Sequence, residues 1–325
     1  MRCLVYALGG GLGHLTRGIA LARAAGRRGI HSTILSNSPF AQSLPVAGEL
    51  QEHDQLVTIS PQFDRDQVAA RLSDILENLP FDLLVVDTFP RGLGGELADR
   101  LSQLSVPKVF VHRDLNERYA ASYHLAEFVQ NFDRLLMPGE NGPLASHPAA
   151  VRTERWLIRD AHELLSRDAA KEELFGKVPG ELPIILVAGS GRVEEMDQMS
   201  RIADWLGDRL SGRAHIRFST PTGVNGSQAH WPLIRLFPGV DVLVGAGGYN
   251  TVSEARATQT PLLAFARKRQ YDRQQLRLND TETVTNCEAL LTQISDLIGS
   301  GFSSTRRVDY SNGTHQAVEV LASLL

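Results

Sequence analysis

Short apolar runs alternate with amphipathic stretches along most of the chain. In the first half they predict strands at Arg2–Leu8, Ser32–Ser36, Leu56–Ile59, Asp82–Thr88, Lys108–His112 and Arg134–Met137. In the second half they predict strands at Pro183–Ala188, His215–Ser219, Val240–Gly245 and Pro261–Phe265. Between the strands, a stretch such as Leu15–Arg27 places Leu15, Ile19 and Ala22 on one face of a helix. This alternation predicts an α/β fold in which helices cover parallel sheets.

The division between the two strand series falls in a segment rich in Pro, Gly and small residues, Pro138–Val151. We therefore expect one domain at 1–150 and a second at 151–325. The charged stretch Arg159–Leu174 has a helical pattern and leads into the second series. The last segment, Thr314–Leu325, also has the pattern of a helix.

Composition narrows the function classes. The 325 residues carry a formal net charge of -4, so no overall basic character attracts nucleic acid. Two distant cysteines indicate unpaired thiols in a reducing compartment. Neither a membrane-spanning run nor a signal-peptide pattern is visible, so we expect a cytoplasmic protein. Peripheral attachment at the inner face of a membrane stays open.

The most informative segment, GVDVLVGAGGYNTVSEA, starts at Gly239. In this segment an apolar strand ends in glycines and a helix follows. Backbone N–H groups at the start of a helix favour anions. Glu254 has two interpretations that the sequence leaves open. It completes a T-x-x-E capping box with Thr251, or it accepts hydrogen bonds from a ribose diol. Gln274 and Gln275 follow the next strand and suit a sugar. This order indicates a nucleotide-sugar site.

The loop after the first strand, GGGLGHLTR at Gly9–Arg17, admits a dinucleotide interpretation of the Rossmann type. Thr16 replaces the third glycine of that motif, and the second strand ends without an acid. His14 lies at the start of the helix, where a neutral imidazole can accept a proton. Asp87 ends a predicted inner strand, so it is either a functional acid or a loop carboxylate.

Together, GGGLGH, GAGGYNTVSEA and DRQQ resemble GT-B glycosyltransferases of the MurG-like, UDP-sugar-dependent group. The resemblance implies two Rossmann-like domains facing across a cleft, with the last helix packed back on the amino-terminal domain. It implies an acceptor on the amino-terminal side and a nucleotide-sugar donor on the carboxyl-terminal side. No metal and no cofactor beyond the donor substrate is expected.

The residue pattern and the resemblance together give candidate roles for individual residues. His14 and Asp87 are the candidate catalytic residues, and Gly11, Gly13 and Arg17 belong to the amino-terminal loop that contains His14. The candidate donor-binding residues are Gly189, Ser190, Gly247, Gly248, Tyr249, Asn250, Glu254, Gln274 and Gln275.

We therefore expect transfer of a hexose or N-acetylhexosamine from a UDP-linked donor to a hydroxyl, with inversion. The acceptor, whether a glycan, a lipid-linked molecule or a small molecule, is not specified by the sequence. The G-x-G-H-x-x-R form of the amino-terminal loop is also similar to the nucleotide-sugar hydrolase of pseudaminic acid synthesis. Hydrolysis, and a non-catalytic subunit that binds a nucleotide sugar, are the alternatives.

Overall fold

The computed structural model describes residues 1–177, 180–189, 193–224, 226–302, 306 and 308–325. The chain divides into two compact units. The first unit contains Met1–Ile158, Gln270–Asp272 and Asn312–Leu325, and the second unit contains Arg159–Arg269 and Arg273–Ser311.

The division after Ile158 differs from the one expected near Ala150. The reason is a short strand at Ala150–Thr153, which the apolar pattern did not predict and which extends the sheet of the first unit. Trp156 and Leu157 follow it and are buried. The linker composition at Pro138–Val151 therefore marks a loop inside the first unit.

The first unit contains a parallel sheet. Its described strands are β1 (Arg2–Tyr6), β2 (His31–Ser36), β3 (Gln55–Thr58), β4 (Leu83–Asp87), β5 (Lys108–Val111), β6 (Arg134–Pro138) and β7 (Ala150–Thr153). Their order is β3-β2-β1-β4-β5-β6-β7. The connecting helices are α1 (Leu12–Gly26), α2 (Arg65–Asn78), α3 (Glu117–Ser122) and α4 (Leu125–Phe128). The buried centre of the sheet explains why its inner strands are continuous apolar runs.

The strand order reverses direction between β1 and β4. These strands pair in register, with Tyr6 opposite Val86. In open α/β sheets the crevice at the carboxyl ends of such a strand pair is the usual ligand site. His14 lies on the first turn of α1, shortly after β1, and β4 ends at Asp87. The topology therefore brings both candidate catalytic residues to one edge of the sheet.

The second unit has its own parallel sheet. Its described strands are β8 (Ile184–Ala188), β9 (His215–Thr220), β10 (Gln228–Ala229), β11 (Val242–Ala246) and β12 (Leu262–Phe265), in the order β10-β9-β8-β11-β12. The helices are α5 (Arg167–Phe175), α6 (Val193–Arg209), α7 (Tyr249–Ala257), α8 (Gln274–Arg277) and α9 (Cys287–Ser300). The order reverses between β8 and β11, so the turns after these two strands occupy the equivalent ligand position.

The final helix α10 (Gly313–Ala322) belongs to the first unit, as the resemblance implied. Asn312 fixes its start. The Asn312 Oδ1 accepts hydrogen bonds from the backbone N–H groups of Leu157 (3.1 Å) and Thr314 (3.2 Å), and its Nδ2 donates to the Leu157 carbonyl (2.8 Å). One buried side chain therefore caps α10 and ties it to the segment after β7.

The predicted strands are all present, and the α/β class is confirmed. The short strands β7 and β10 were missed, and the helical pattern of Arg159–Leu174 becomes an α-helix only at Arg167. Within the described residues, no helix has the length and apolar character needed to span a membrane.

Replacing Asn312 with Ala should destabilise the protein by about 2–4 kcal/mol, because the change removes a cap and leaves both polar backbone groups of Leu157 buried without this partner. The free energy of unfolding from urea titration measures the loss. Asn286 is the matched control, since its side chain accepts a single cap bond at the start of α9. Asn286→Ala should cost about 1 kcal/mol. Equal losses in the two variants would contradict the tie between Asn312 and Leu157.

Candidate functional site

The glycine loop after β1 is held by the side chain of Asn37, the residue that directly follows β2. Asn37 Oδ1 accepts hydrogen bonds from the N–H groups of Gly9 (2.9 Å) and Gly10 (3.0 Å). Gly10 has a φ of +65°, which a residue with a side chain rarely adopts. The N–H groups of Gly9 and Gly10 are therefore already hydrogen-bonded to Asn37. The second strand also ends without an acid that could bind a ribose. Both features count against the dinucleotide interpretation.

The imidazole of His14 lies directly against Gly9. A Cβ atom at position 9 would stand 2.1 Å from His14 Cδ2, so only glycine leaves room for the ring. By contrast, a Cβ at Gly11 would meet nothing within 4 Å, and one at Gly13 would meet Arg17 Nη1 at 3.6 Å. The glycines thus differ in their surroundings: Gly9 accommodates the imidazole, Gly11 borders open space, and a Cβ at Gly13 would make ordinary contact with Arg17.

His14, Asp87 and Arg17 form one hydrogen-bonded group. His14 Nδ1 lies 2.7 Å from Asp87 Oδ2. Arg17, one turn further along α1, donates from Nε to Asp87 Oδ1 (3.1 Å) and from Nη2 to Asp87 Oδ2 (2.6 Å). The side chains of Arg17 and Asp87 are 2% and 4% exposed, whereas that of His14 is 14% exposed. The imidazole is thus the solvent-facing member of a buried ionic group.

The charges of this group are set by burial and by its own members. Burial by itself would raise the pKa of Asp87, but Arg17 and His14 hold the pKa of that carboxyl well below its ordinary value. Burial lowers the pKa of His14 below 6.5 against the opposing effect of Asp87, and Arg17 and Arg113 lower it further. Asp87 is therefore ionised and His14 neutral near pH 7.

Hydrogen-bond accounting assigns the tautomer of His14. Arg17 Nη2 also lies 3.2 Å from His14 Nδ1, but its two hydrogens are directed to Asp87 Oδ2 and to Thr88 Oγ1 (3.2 Å). An ionised Asp87 only accepts, so Nδ1 carries the proton and donates it. The lone pair is then on Nε2, the arrangement of a general base oriented by a carboxylate.

A cluster of aromatic rings in the first unit contacts the imidazole through Phe89. Phe89 stacks on His14 with ring centroids 5.6 Å apart. Tyr271 and Tyr119 pack edge-on against Phe89, at 5.3 Å and 6.2 Å. The sequence analysis did not identify this cluster, because Tyr271 is distant in sequence and aromatic residues are ordinary core components.

The second unit's glycine turn is held at both polar groups of Gly247. Its N–H donates to the Phe265 carbonyl (3.3 Å), and its carbonyl accepts from Arg277 Nη1 (2.8 Å). A Cβ at position 247 would stand 3.1 Å from Leu278 Cδ1 and 3.3 Å from Gln274 Cβ. Gly247 is therefore a close-packing position, and its N–H is not left for a phosphate.

Helix α7 begins immediately after this turn, with Gly248 as its N-cap and no side-chain cap. The first N–H groups of any helix lack intrahelical acceptors, so the start of α7 favours an anion. Tyr249 is buried, and Asn250 lies beside it on the first turn. The side-chain oxygen of Asn250 is shielded from water and has no hydrogen-bond partner among the described residues.

Glu254 does not form the capping box that was one of its two interpretations. Because α7 starts at Tyr249, Thr251 is already inside the helix and Glu254 lies on its second turn. Burial raises the pKa of Glu254 to about 8. Burial raises the pKa of Tyr310, and the nearby Glu254 raises it further. The Tyr310 hydroxyl donates to the Arg159 carbonyl (2.8 Å) and not to Glu254. No hydrogen-bond or ionic partner of the Glu254 carboxyl is found among the described residues, so the capping interpretation is wrong.

The other donor-side candidates differ in availability. Gln274 is 4% exposed, and its Oε1 accepts from the Arg267 N–H (2.9 Å), whereas Gln275 is exposed. Gly189 donates its N–H to the Ser219 carbonyl (2.9 Å) in the sheet ladder, so this amide is also engaged. Ser190 lies outside the described residues.

A metal-binding cluster is not evident in the part of the chain that the structure describes, where no three His, Cys, Asp or Glu side chains come together suitably. The structure instead contains two clusters of polar side chains. The cluster in the first unit consists of His14, Asp87 and Arg17. The cluster in the second unit consists of Asn250, Glu254 and Gln274, together with the backbone N–H groups at the start of α7.

No protein-family model matches the sequence, and no curated protein sequence matches it. Solved structures do match. The glycosyltransferase of kitacinnamycin is 14% identical with a TM-score of 0.63, over 100% of this chain and 99% of that chain. MurG of Acinetobacter baumannii is 14% identical with a TM-score of 0.57, over 99% of both chains. Phytolacca americana UGT2, complexed with UDP-2fluoro-glucose and pterostilbene, is 13% identical with a TM-score of 0.58, over 99% of both chains.

These similarities extend along the entire chain and agree with the two parallel sheets described above. They confirm the expected fold: the chain has the GT-B fold of glycosyltransferases that include MurG and UDP-sugar-dependent enzymes.

Proposed function

We propose that this protein is a glycosyltransferase that moves a hexose or N-acetylhexosamine from a UDP-sugar to an acceptor hydroxyl. The observation that carries the proposal is the 2.7 Å contact between His14 Nδ1 and the buried, ionised Asp87, which leaves Nε2 as a proton acceptor. The fold alone does not decide the reaction, because one fold supports several chemistries. The His14–Asp87 pair supplies what a transfer to a hydroxyl requires.

The donor side of the proposal rests on the start of α7. Backbone N–H groups there suit the diphosphate, and they offset its growing negative charge as it leaves. The unpartnered Asn250 oxygen and the Glu254 carboxyl both suit hydroxyl or N–H donors on a nucleoside. We assign the ribose diol to Glu254 and the donor sugar to Gln274 and Gln275.

The proposed step is a direct displacement. The acceptor O–H gives its proton to His14 Nε2 while its oxygen forms a bond to the anomeric carbon. The bond from that carbon to the diphosphate oxygen breaks, and its electron pair stays on the released UDP. Attack on the face opposite the departing group inverts the anomeric configuration. The step as proposed needs neither a metal ion nor a cofactor beyond the donor.

Hydrolysis of the same donor is the second candidate, since His14 Nε2 can equally accept a proton from water. The two reactions differ in one readout. A purified hydrolase forms free sugar in step with UDP when no acceptor is present, whereas a transferase releases UDP rapidly only when an acceptor is added. A non-catalytic subunit binds UDP and gives neither product with any donor and acceptor of a panel.

Replacing His14 with Ala should lower turnover at least about a hundredfold, the usual scale for loss of a general base. The UDP-release rate over a panel of UDP-sugars and acceptor alcohols measures this, and calorimetry should find UDP binding unchanged. His162→Ala, at an exposed position, is the matched control and should keep the wild-type rate. Unchanged turnover in His14→Ala would remove His14 from the mechanism.

The Glu254 carboxyl is ionised above its pKa of about 8. At about pH 9, replacing Glu254 with Gln should weaken UDP binding about tenfold or more, because a hydrogen bond to a charged group contributes about 1.5–3 kcal/mol. The 2′,3′-dideoxy analogue of UDP isolates the diol. Wild-type protein should lose affinity for this analogue, whereas Glu254→Gln should bind UDP and the analogue alike. Wild-type protein that binds both nucleotides equally would contradict the ribose assignment.

The same substitution changes the pH dependence of stability. The pKa of Glu254 is raised from 4.5 in the unfolded chain to about 8 in the folded protein. Its contribution to the free energy of unfolding is therefore full below pH 4.5 and is lost as the pH rises through 8. The thermal midpoint of unliganded wild-type protein should therefore fall relative to Glu254→Gln across that window. Exposed Glu172 is the control, and Glu172→Gln should follow the wild type throughout.

A further inference from the structure

Thr88 follows Asp87 directly and adopts a strained backbone conformation. Its φ is +71°, a region that disfavours β-branched residues. The N–H of Phe89 donates to the carbonyl of Asp87 at 2.8 Å, which closes a three-residue turn around Thr88. Turns of this kind with positive φ are rare and strained. Strain of this sort persists where the surrounding structure holds it in place, often at functional sites.

Three hydrogen bonds hold Thr88 in this conformation. Its N–H donates to the Val111 carbonyl of β5 (3.0 Å). Its Oγ1 accepts from Arg17 Nη2 (3.2 Å) and donates to Asp87 Oδ1 (3.1 Å). Thr88 is 5% exposed, so water does not substitute readily for these partners. The hydroxyl therefore bridges the cation and the carboxylate of the ionic group.

The turn has a geometric consequence for His14. In a continued strand, residues 87 and 89 would project from one face about two residue rises apart, roughly 6.6 Å. The turn instead allows Asp87 to bond the edge of one imidazole while Phe89 stacks on its face, with ring centroids 5.6 Å apart. One strained residue thus directs two neighbours onto the same ring.

We propose that Thr88 is a positioning residue, which fixes the Asp87 carboxylate and the Phe89 ring on His14 through its strained turn and its hydroxyl. The proposal rests on the proposed function in treating His14 as the base. The charged groups that act on His14 are Asp87, Arg17 and Arg113. Thr88 contacts the first two through its hydroxyl and orients the pair without touching substrate.

Three substitutions separate the hydroxyl from the backbone strain. Thr88→Val keeps the shape and removes the hydroxyl. Thr88→Ser keeps the hydroxyl. Thr88→Gly removes the hydroxyl and adopts positive φ without strain. The readout is solvent exchange of the His14 Nδ1 proton, followed by NMR on the unliganded protein, which needs neither donor nor acceptor.

In Thr88→Val and Thr88→Gly this proton should exchange at least about tenfold faster than in the wild type, because the carboxylate that holds it gains freedom. In Thr88→Ser, which keeps the hydroxyl, this proton should exchange as slowly as in the wild type. If Thr88→Val does not fold, Thr88→Gly tests the hydroxyl in an unstrained backbone. Wild-type exchange in a folded variant without the hydroxyl, or no rescue by Ser, would overturn the proposal.

Turnover separates this result from failure of the proposed function. If UDP-sugar turnover is found, Thr88→Val should lower kcat roughly a hundredfold with an unchanged KM for the donor, as expected for a misplaced base. An equal fall in kcat and rise in KM would instead indicate a general structural role and would contradict positioning. If no turnover is found, the proposed function fails while proton exchange still decides the role of Thr88.

Discussion

The buried charge of Asp87 is the constraint on which the rest of the first unit's site depends. An unpaired carboxylate at the end of an inner strand would be costly, so the fold must bring a cation to it. Arg17 fulfils this requirement from the first helix, through hydrogen bonds from Nε and Nη2 to the two carboxylate oxygens. Because Arg17 offsets the charge of the carboxylate, Asp87 can orient His14 while the imidazole stays neutral.

The proposed donor site of the second unit has a different physical basis. Its glycine turn is fixed by Phe265 and Arg277, and both polar groups of Gly247 are engaged. What remains for a ligand is the uncapped start of α7 together with Asn250 and Glu254. A hydrogen-bonded backbone turn with the unpartnered Asn250 oxygen beside it is what we expect of a preformed site for a polar ligand.

The sequence predicted the parts of this arrangement that follow from local pattern. Strand positions, the parallel α/β class, and the placement of His14 and Asp87 at the carboxyl ends of strands all follow from apolar runs and from what interrupts them. The capping-box interpretation of Glu254 was wrong because helix α7 starts two residues before Thr251. Helix boundaries are set by tertiary contacts such as those around Gly247. Asn37, Thr88 and Phe89 could not be selected, because their roles depend on bonds across strands and on a φ angle that composition does not reveal.

The proposed function depends on His14 being a neutral imidazole whose Nδ1 proton is held by Asp87. Nitrogen NMR of labelled histidine, assigned with the His14→Ala variant and followed through a pH titration, tests it most directly. We expect the Nδ1-protonated tautomer near pH 7 and a titration midpoint below 6.5. A proton on Nε2, or an imidazole that is doubly protonated near pH 7, would contradict the account.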